Sequence, residues 1–244
     1  DVLSNNIANI NTQGFKKDIL VYEEKAPPFQ QTPLNGFGTR HFNAFDGSDP
    51  AVSYVQATES QTDFTQGSLI KTDNPLDVAI EGKGFFVVNT PTGIRYTRNG
   101  NFRLDGLGQL VDRKGNMIMT RDEEPILIPI DTKGVSIDQD GSIFGGAEGD
   151  QEPLGRLKIV DFNNLQALTK EGEGFYKISD SSVKEILVND AKVLQGFTEN
   201  SNANAIHEMT QMIETVRQLE AYQKIIQSID EADDQSVNNL GRVA

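Results

Sequence analysis

The chain has 244 residues, and its 36 acidic and 22 basic side chains give a formal net charge of −14 at pH 7. This acidic balance argues against a nucleic-acid-binding surface, which needs clustered Lys and Arg. The chain contains no cysteine and no tryptophan, which excludes disulfides, thiolate metal sites and cysteine nucleophiles. Because no run approaches 18 consecutive apolar residues, we expect neither a membrane span nor a cleavable secretory signal peptide.

An amphipathic helix is predicted at the start of the chain, over residues 1–12. Its apolar positions lie at helical spacing and include Leu3, Ile7 and Ile10. Asn9 and Asn11 then compete for backbone hydrogen bonds and end the helix. No capping residue stands ahead of the first apolar position, so we interpret this segment as the final part of a longer helix. Over residues 13–66, proline and glycine interrupt any helical or strand-like repeat of apolar residues, which predicts an irregular, extended linker region.

A β domain is predicted over residues 67–198. Short apolar runs such as 85–88 recur there, and tight-turn pairs such as Asn-Gly at 99–100 and Asp-Gly at 105–106 separate them. Short strands with turn signals about every 8–12 residues are typical of a β-sandwich or barrel. We therefore predict a mainly β fold with a sandwich-like or barrel-like centre and an α-helix at each terminus.

The C-terminal region, 199–244, is predicted to form a long helix that pairs with the N-terminal helix. Asn204 is a good N-cap, and Glu208 in the first turn suits the helix dipole. The apolar positions recur mostly at steps of three and are Ile206, Met209, Ile213, Val216, Leu219, Tyr222, Ile226 and Ile229. Their stripe winds around the helix, which favours supercoiling against partners. At about 1.5 Å per residue the helix would extend roughly 50–60 Å, further than one small β domain covers.

No group of residues predicts a catalytic, cofactor or metal site. The two histidines, His41 and His207, lack metal-ligand spacing, and neither a dinucleotide loop nor a nucleophile elbow is present in the sequence. We assign no catalytic residue, no metal and no cofactor. A pair of carboxylates about 5–9.5 Å apart, as in glycan-cutting enzymes, stays open, because some of the 36 acidic residues must lie close together.

A series of asparagine-rich and glycine-rich motifs runs through the whole chain. The first reads Ser-Asn-Asn-Ile-Ala-Asn-Ile-Asn-Thr-Gln-Gly-Phe-Lys over residues 4–16. The later motifs are Gly-Ser-Leu at 67–69, Asn-Pro-Leu-Asp at 74–77, Gly-Lys-Gly-Phe-Phe at 82–86, Tyr-Thr-Arg-Asn-Gly-Asn-Phe at 96–102, Asn-Ser-Asn at 200–202, Glu-Met at 208–209 and Met-Ile-Glu at 212–214. In this order they resemble the signatures of the bacterial flagellar rod and hook protein family. The chain is most similar to the proximal rod subfamily, and the distal rod subfamily is a close alternative.

The resemblance implies a non-enzymatic, structural subunit of the flagellar basal-body rod, which crosses the periplasm and transmits motor torque for motility. Such proteins leave the cell through the flagellar type III export apparatus. They form a helical assembly with their own copies and with other rod and hook proteins through their terminal helices, with no nucleic acid and no membrane insertion. The expected assembly interface is Leu3, Ile7, Asn9, Ile10, Asn11, Asn202, Ile206, Met209, Ile213, Val216, Leu219, Ile226 and Ile229. An enzyme acting on cell-wall glycan and a phage tail-like structural protein are the alternatives.

Overall fold

The computed structural model shows a mainly β protein with a helix near each end. Its described residues are 1–25 and 54–240, apart from 130, 131, 133, 148, 149, 173, 181 and 189. Most of the predicted linker region, 26–53, therefore lies outside the described residues. The predicted fold class is confirmed, because strands predominate and their sheets form a sandwich-like arrangement. Among the described strands, no sheet closes into a barrel.

The two helices differ greatly in length. Helix α1 covers Val2–Ala8, so it ends before the predicted limit of 12, because the Asn9 amide bonds to carbonyl oxygens three and four residues back and the chain then turns. Helix α2 covers Ala205–Leu240 and contains 36 residues, which corresponds to about 54 Å. Asn204 caps it, since its Oδ1 accepts hydrogen bonds from the amides two and three residues ahead, at 3.0 and 3.2 Å.

The strands of the described residues are short. They are β1 (Asp18–Lys25), β2 (Tyr54–Thr62), β3 (Leu69–Lys71), β4 (Val78–Glu81), β5 (Phe85–Thr90), β6 (Gly93–Thr97), β7 (Arg103–Leu104), β8 (Leu110–Val111), β9 (Met117–Ile118), β10 (Val135–Ile137), β11 (Ser142–Ala147), β12 (Asp150–Arg156), β13 (Ile159–Phe162), β14 (Leu168–Lys170), β15 (Phe175–Ile178), β16 (Glu185–Leu187), β17 (Lys192–Gln195) and β18 (Phe197–Glu199). A 3-10 helix, Leu165–Ala167, precedes β14.

Strand β5 is the centre of the largest sheet, which has nine strands and pairs β5 with β6, β9 and β13. Its side chains alternate between two apolar cores. Phe86 and Val88 belong to one core, whereas Phe85 and Val87 belong to the other. Successive side chains of a strand point to opposite faces, so β5 is buried on both faces. This explains its unbroken apolar run.

The last two strands return the chain to the beginning of the β domain. Strand β17 pairs antiparallel with β4, and β18 pairs antiparallel with β3, so that Glu199 lies opposite Leu69. Strands β1 and β2 form a separate antiparallel ladder from Asp18↔Thr62 to Lys25↔Tyr54. The Gly14 amide donates a hydrogen bond to the Glu199 carbonyl at 2.7 Å, so the residues that lead out of α1 lie beside those that lead into α2.

Candidate functional site

Asn6 joins the two helices to the β1 strand. Its side-chain nitrogen donates hydrogen bonds to Glu208 Oε2 at 3.2 Å and to the Asp18 carbonyl oxygen at 2.9 Å. Its side-chain oxygen accepts a hydrogen bond from the Asp18 amide at 2.9 Å. Asn6 and Glu208 are both buried, and α1 consequently lies alongside the first turns of α2. A carboxamide suits this position because it donates and accepts at once.

Asn202 makes a second joint, just before α2. Its Oδ1 accepts a hydrogen bond from the Lys17 amide at 2.7 Å. Its Nδ2 donates to the Asp63 carbonyl at 2.8 Å and also lies 3.2 Å from the Thr65 carbonyl. One half-buried side chain therefore satisfies backbone groups from the segment after α1 and from the segment after β2.

A buried ion triad lies beneath these joints. Lys16 Nζ is 2.5 Å from Glu199 Oε1, and Arg98 Nη1 is 3.3 Å from Glu199 Oε2. The side chains of Lys16 and Glu199 expose no surface, and Arg98 is almost fully buried. The backbone completes the arrangement, because Glu199 Oε1 also accepts from the Gly67 amide at 2.9 Å and Lys16 Nζ donates to the Thr65 carbonyl at 2.6 Å. The triad ties the N-terminal segment, β18 and the end of β6 together.

Burial lowers the pKa values of both cations in the triad. For Lys16 the loss of hydration is the largest cause and lowers the pKa, while the Glu199 carboxylate opposes it. The pKa of Arg98 is lowered for the same first reason, again against the effect of Glu199. Arg98 also donates to the Gly82 carbonyl at 2.7 Å and lies over the Phe85 ring. Both cations are bound by the same carboxylate and by backbone carbonyl oxygens, so we interpret the triad as a structural joint.

Lys170 of β14 holds the segment after α1 from the other side. Its Nζ is 2.7 Å from Asp18 Oδ1, donates to the Lys16 carbonyl at 2.5 Å, and lies 4.4 Å from the centroid of the Phe15 ring. Burial lowers the pKa of Lys170, and the Asp18 carboxylate opposes that shift. Residues 15–18 are thus held against the β domain by backbone and side-chain contacts together.

The predicted residues of the N-terminal segment take several positions. The apolar ones are half-buried, and they are Leu3, Ile7 and Ile10. Asn9 stabilises the end of its own helix, since its Nδ2 donates to the Asn5 carbonyl at 2.9 Å and its Oδ1 accepts from the Thr12 hydroxyl. Asn11 is exposed. The carboxamide that links the two helices is therefore Asn6, which sequence reasoning did not single out.

The apolar stripe of α2 faces outward. Exposed fractions range from 49% for Val216 to 79% for Ile206. The exposed members include all seven of the interface residues that were predicted on α2, together with Tyr222 and Ile225. The full set is Ile206, Met209, Ile213, Val216, Leu219, Tyr222, Ile225, Ile226 and Ile229. Within the described chain, α1 does not cover them. A row of exposed apolar side chains of this length is unusual on the surface of a monomer.

Among the described residues, no group of three or more His, Cys, Asp or Glu side chains could hold a metal ion. Of the helices that are described, none is long and apolar enough to cross a membrane.

Three family models match successive parts of the chain. Residues 1–16 match the model described as "Flagella basal body rod protein". Residues 79–145 match "Flagellar hook protein FlgE/F/G D1 domain", and residues 194–240 match "Flagellar basal body rod FlgEFG protein C-terminal".

Full-length relatives agree with these models. The flagellar basal-body rod protein FlgF of Caulobacter vibrioides is 33% identical over 244 residues, covering 100% of this chain and 92% of the relative. FlgG of Buchnera aphidicola subsp. Acyrthosiphon pisum is 35% identical over 95% of this chain and 90% of its own length. FlgG of Bacillus subtilis is 34% identical, with 98% and 92% covered. The chain belongs to the flagellar basal-body rod protein family. The predicted resemblance to this family is confirmed, and the FlgF and FlgG relatives match the chain at similar sequence identity.

Each family-matched segment of this rod protein supplies one member of the buried triad. Lys16 ends the first segment, Arg98 lies in the second and Glu199 lies in the third. Sequence reasoning missed all three, together with Asn6 and Glu208. All five residues lie within or next to the family motifs, which was the only indication of their importance in the sequence. The four charged ones would ordinarily be expected on the solvated surface.

Proposed function

We propose that this chain is a structural, non-enzymatic subunit of the flagellar basal-body rod. It assembles with its own copies and with other rod and hook proteins through its terminal helices, in a rod that spans the periplasm and transmits torque for motility. It reaches that position through the flagellar export apparatus. The observation that supports the proposal most is the exposed apolar stripe of α2, which extends along a helix of 36 residues.

Assembly through this stripe is reasonable in energetic terms. Burial of one large apolar side chain contributes about 1.5–3 kcal/mol. Association costs an estimated 4–15 kcal/mol in lost freedom of movement, so a single contact is insufficient and a long row of contacts is needed. The nine exposed apolar side chains of the α2 stripe provide such a row.

Transmission of torque requires that a load on the helices reaches the rest of the subunit. The Asn6 and Asn202 joints and the buried triad connect α1, α2 and the β domain through short hydrogen bonds and ion pairs. Interiors of this kind transmit strain because they are close-packed. The tight joint between helices and β domain therefore supports a mechanical role.

The experiment replaces two apolar side chains of the stripe with carboxylates, in the double variant Ile213→Asp/Val216→Asp. The matched control is Gln211→Asp/Gln218→Asp, which adds the same charge to exposed positions of the same helix, each about 200° around the helix from Ile213 or Val216. We expect the first variant to keep the circular-dichroism spectrum of the β domain, to lose concentration-dependent sedimentation, and to fail to restore swimming in a strain that lacks the gene. The control should assemble and swim. Normal swimming of the first variant would contradict the proposal.

A further inference from the structure

A cavity of about 520 Å³ lies between strands β2 and β14, and residues 60–62 of β2 and 168–170 of β14 line it. Successive side chains of a strand point to opposite faces, so a cavity over one face of a strand is lined by alternate residues. Here three consecutive residues of each strand line the cavity. The cavity therefore lies along the edges of the two strands.

The edge of β2 at this cavity carries unpaired backbone groups. The Asp63 amide donates to the Lys17 carbonyl of the neighbouring chain segment at 2.9 Å, and hydrogen-bonded pairs alternate with non-bonded ones in an antiparallel ladder. Gln61 therefore faces β1, whereas the backbone N–H and C=O groups of Ser60 and Thr62 point to the opposite edge. Among the described residues, none forms a backbone hydrogen bond with these outward groups.

The edge of β14 has the same character. Among the described strands, β14 ends the largest sheet and pairs only with β15. The Glu171 amide donates to the Phe175 carbonyl at 2.9 Å, so by the same alternation the backbone groups of Leu168 and Lys170 point away from β15. The Leu168 amide is used by the Leu165 carbonyl of the 3-10 turn. The Leu168 C=O and both backbone groups of Lys170 have no backbone partner among the described residues.

The cavity has the size of one short additional strand. Strands lie about 4.8 Å apart, sheets pack about 10 Å apart and a strand rises about 3.4 Å per residue, so that one strand residue takes up about 160 Å³. The volume of the cavity therefore corresponds to about three strand residues. Each wall also contributes three residues.

The two edges lack the features with which proteins usually prevent further pairing. Proline, a bulge or a projecting charge commonly does so, but residues 60–62 and 168–170 contain no proline and their ladders are in regular register. The charged residues of the cavity wall are Asp18 and Lys170, and they neutralise each other in an ion pair at 2.7 Å. The wall therefore favours an uncharged segment.

We propose that the edge slot, formed by residues 60–62 and 168–170, receives an extended, uncharged segment of another polypeptide as an additional β-strand. The backbone of this segment bonds to β2 on one side and to β14 on the other. In recognition by strand addition, main-chain hydrogen bonds supply the affinity. The added strand joins the β1–β2 ladder to the nine-stranded sheet. This interaction uses the β domain and is independent of assembly through the terminal helices.

A labelled peptide tests the edge slot on the full-length chain. The probe is the blocked peptide Ser-Thr-Val-Thr-Val-Thr-Ser, which favours a strand and carries no charge, and its binding is measured by fluorescence anisotropy. One control peptide carries methyl groups on the amides of its threonines, and a second carries them on the amides of its valines. Successive residues of an inserted strand bond to opposite walls, so each methylated peptide loses its donors to one wall.

Two proline variants locate the binding site. Thr62→Pro removes an outward N–H from the edge slot without removing a ladder hydrogen bond, as proline is tolerated at such edge positions. The matched control is Leu187→Pro in β16, which among the described strands pairs with β13 alone. The Val188 amide bonds to the Ile159 carbonyl at 3.1 Å, so the Leu187 amide points away from β13 and has no second edge opposite it in the slot.

We expect the unmodified peptide to bind saturably at one site. Each methylated peptide, and the Thr62→Pro variant with the unmodified peptide, should bind at least about tenfold more weakly, because hydrogen bonds to one wall are lost. The Leu187→Pro variant should bind as the unmodified chain does. In hydrogen exchange, the amides of Thr62 and Lys170 should exchange rapidly in the free chain and slowly with the peptide bound.

Three results overturn the proposal. They are the absence of saturable binding up to about 1 mM peptide, equal binding of the methylated and unmodified peptides, and loss of binding in Leu187→Pro instead of Thr62→Pro. Each leaves the swimming and sedimentation results for the α2 stripe unaffected, since the stripe and the edge slot are different surfaces. Slow exchange of the Ile19 amide, which faces β2, verifies that Thr62→Pro keeps its ladder, and Ser60→Pro replaces that variant if it does not.

Discussion

Lys16 and Glu199 are 183 residues apart in the sequence, and their side chains form a fully buried ion pair at 2.5 Å. A buried ion pair is a weak source of net stability, because the loss of hydration offsets much of the attraction. Its geometry is nevertheless strict, since a displaced partner leaves a buried charge without compensation. The pair therefore defines how the segment after α1 sits on the end of the β domain.

Glu199→Gln should destabilise the protein strongly. The change leaves Lys16 and Arg98 as two buried cations without their common carboxylate, and breaking a buried pair in this way costs about 3–5 kcal/mol. Urea unfolding at pH 7 measures the loss. The control is Lys71→Met, which removes an ion pair with Asp73 whose side chains are mostly exposed and should leave the unfolding midpoint unchanged. Equal midpoints for both variants would contradict the role of the triad.

The stability deficit of Glu199→Gln should shrink as the pH rises. Burial already lowers the pKa of Lys16 in the folded protein, and Glu199 is the main group that opposes this shift. Without Glu199 the pKa of Lys16 in the folded protein falls further. At pH values between this lowered pKa and the ordinary lysine pKa, the unfolded chain therefore binds more protons than the folded one. Stability then rises with pH.

Urea unfolding of wild type and variant at pH 7 and pH 9.5 tests this sign. The double variant Lys16→Met/Glu199→Gln, which lacks the titrating lysine, is the control and should show no such recovery. A deficit that stays constant or widens in the Glu199→Gln variant would show that Lys16 does not titrate in this window.

Asn202→Ala should loosen the joint between the N-terminal segment and the β domain. The change removes the acceptor of the Lys17 amide and a donor to the Asp63 carbonyl, and an unsatisfied buried group costs about 1–3 kcal/mol. Hydrogen exchange of the Lys17 amide should accelerate while that of Val87 in β5 stays slow. Asn204→Ala is the matched control. It removes only the cap of α2, so the exchange at Lys17 should be unaffected.

Gly14→Ala should displace the N-terminal segment through a steric clash. An added Cβ would lie 2.4 Å from the Asn99 amide nitrogen, and the glycine has a φ of +69°. Gly172 has nearly the same φ, +72°, but no atom within 4 Å of an added Cβ. Both substitutions carry the left-handed conformational cost of roughly 1–2 kcal/mol, and the excess loss of stability in Gly14→Ala measures the close approach. Equal losses in urea unfolding would mean that the segment moves aside freely.

Local patterns were sufficient to predict several of the regular elements. The Asn204 cap, the long helix after it and the apolar run of β5 depend on neighbouring residues, and the structure contains each of them. The stripe of α2 was also readable, because a helical period is a local property.

The joint between the ends was not readable from local patterns. The Asn6–Glu208 and Lys16–Glu199 contacts join residues 202 and 183 positions apart, and no periodicity connects such distant positions. Charged residues are also expected at the surface by default. The ladder of β1 and β2 was missed for a related reason, since its partners are separated by the Pro-rich and Gly-rich segment that predicted an irregular linker.

The distance in sequence between Lys16 and Glu199 also sets an order of events when the protein is made. Domains fold as units while the chain grows from its N-terminus, but residues 1–18 have no Glu199 or Glu208 to dock on until synthesis has passed residue 208. The terminal joint is consequently one of the last to form. A product that stops short of Glu199 lacks the partners of Lys16 and Asn6, so it cannot hold α1 and the segment after it in this arrangement.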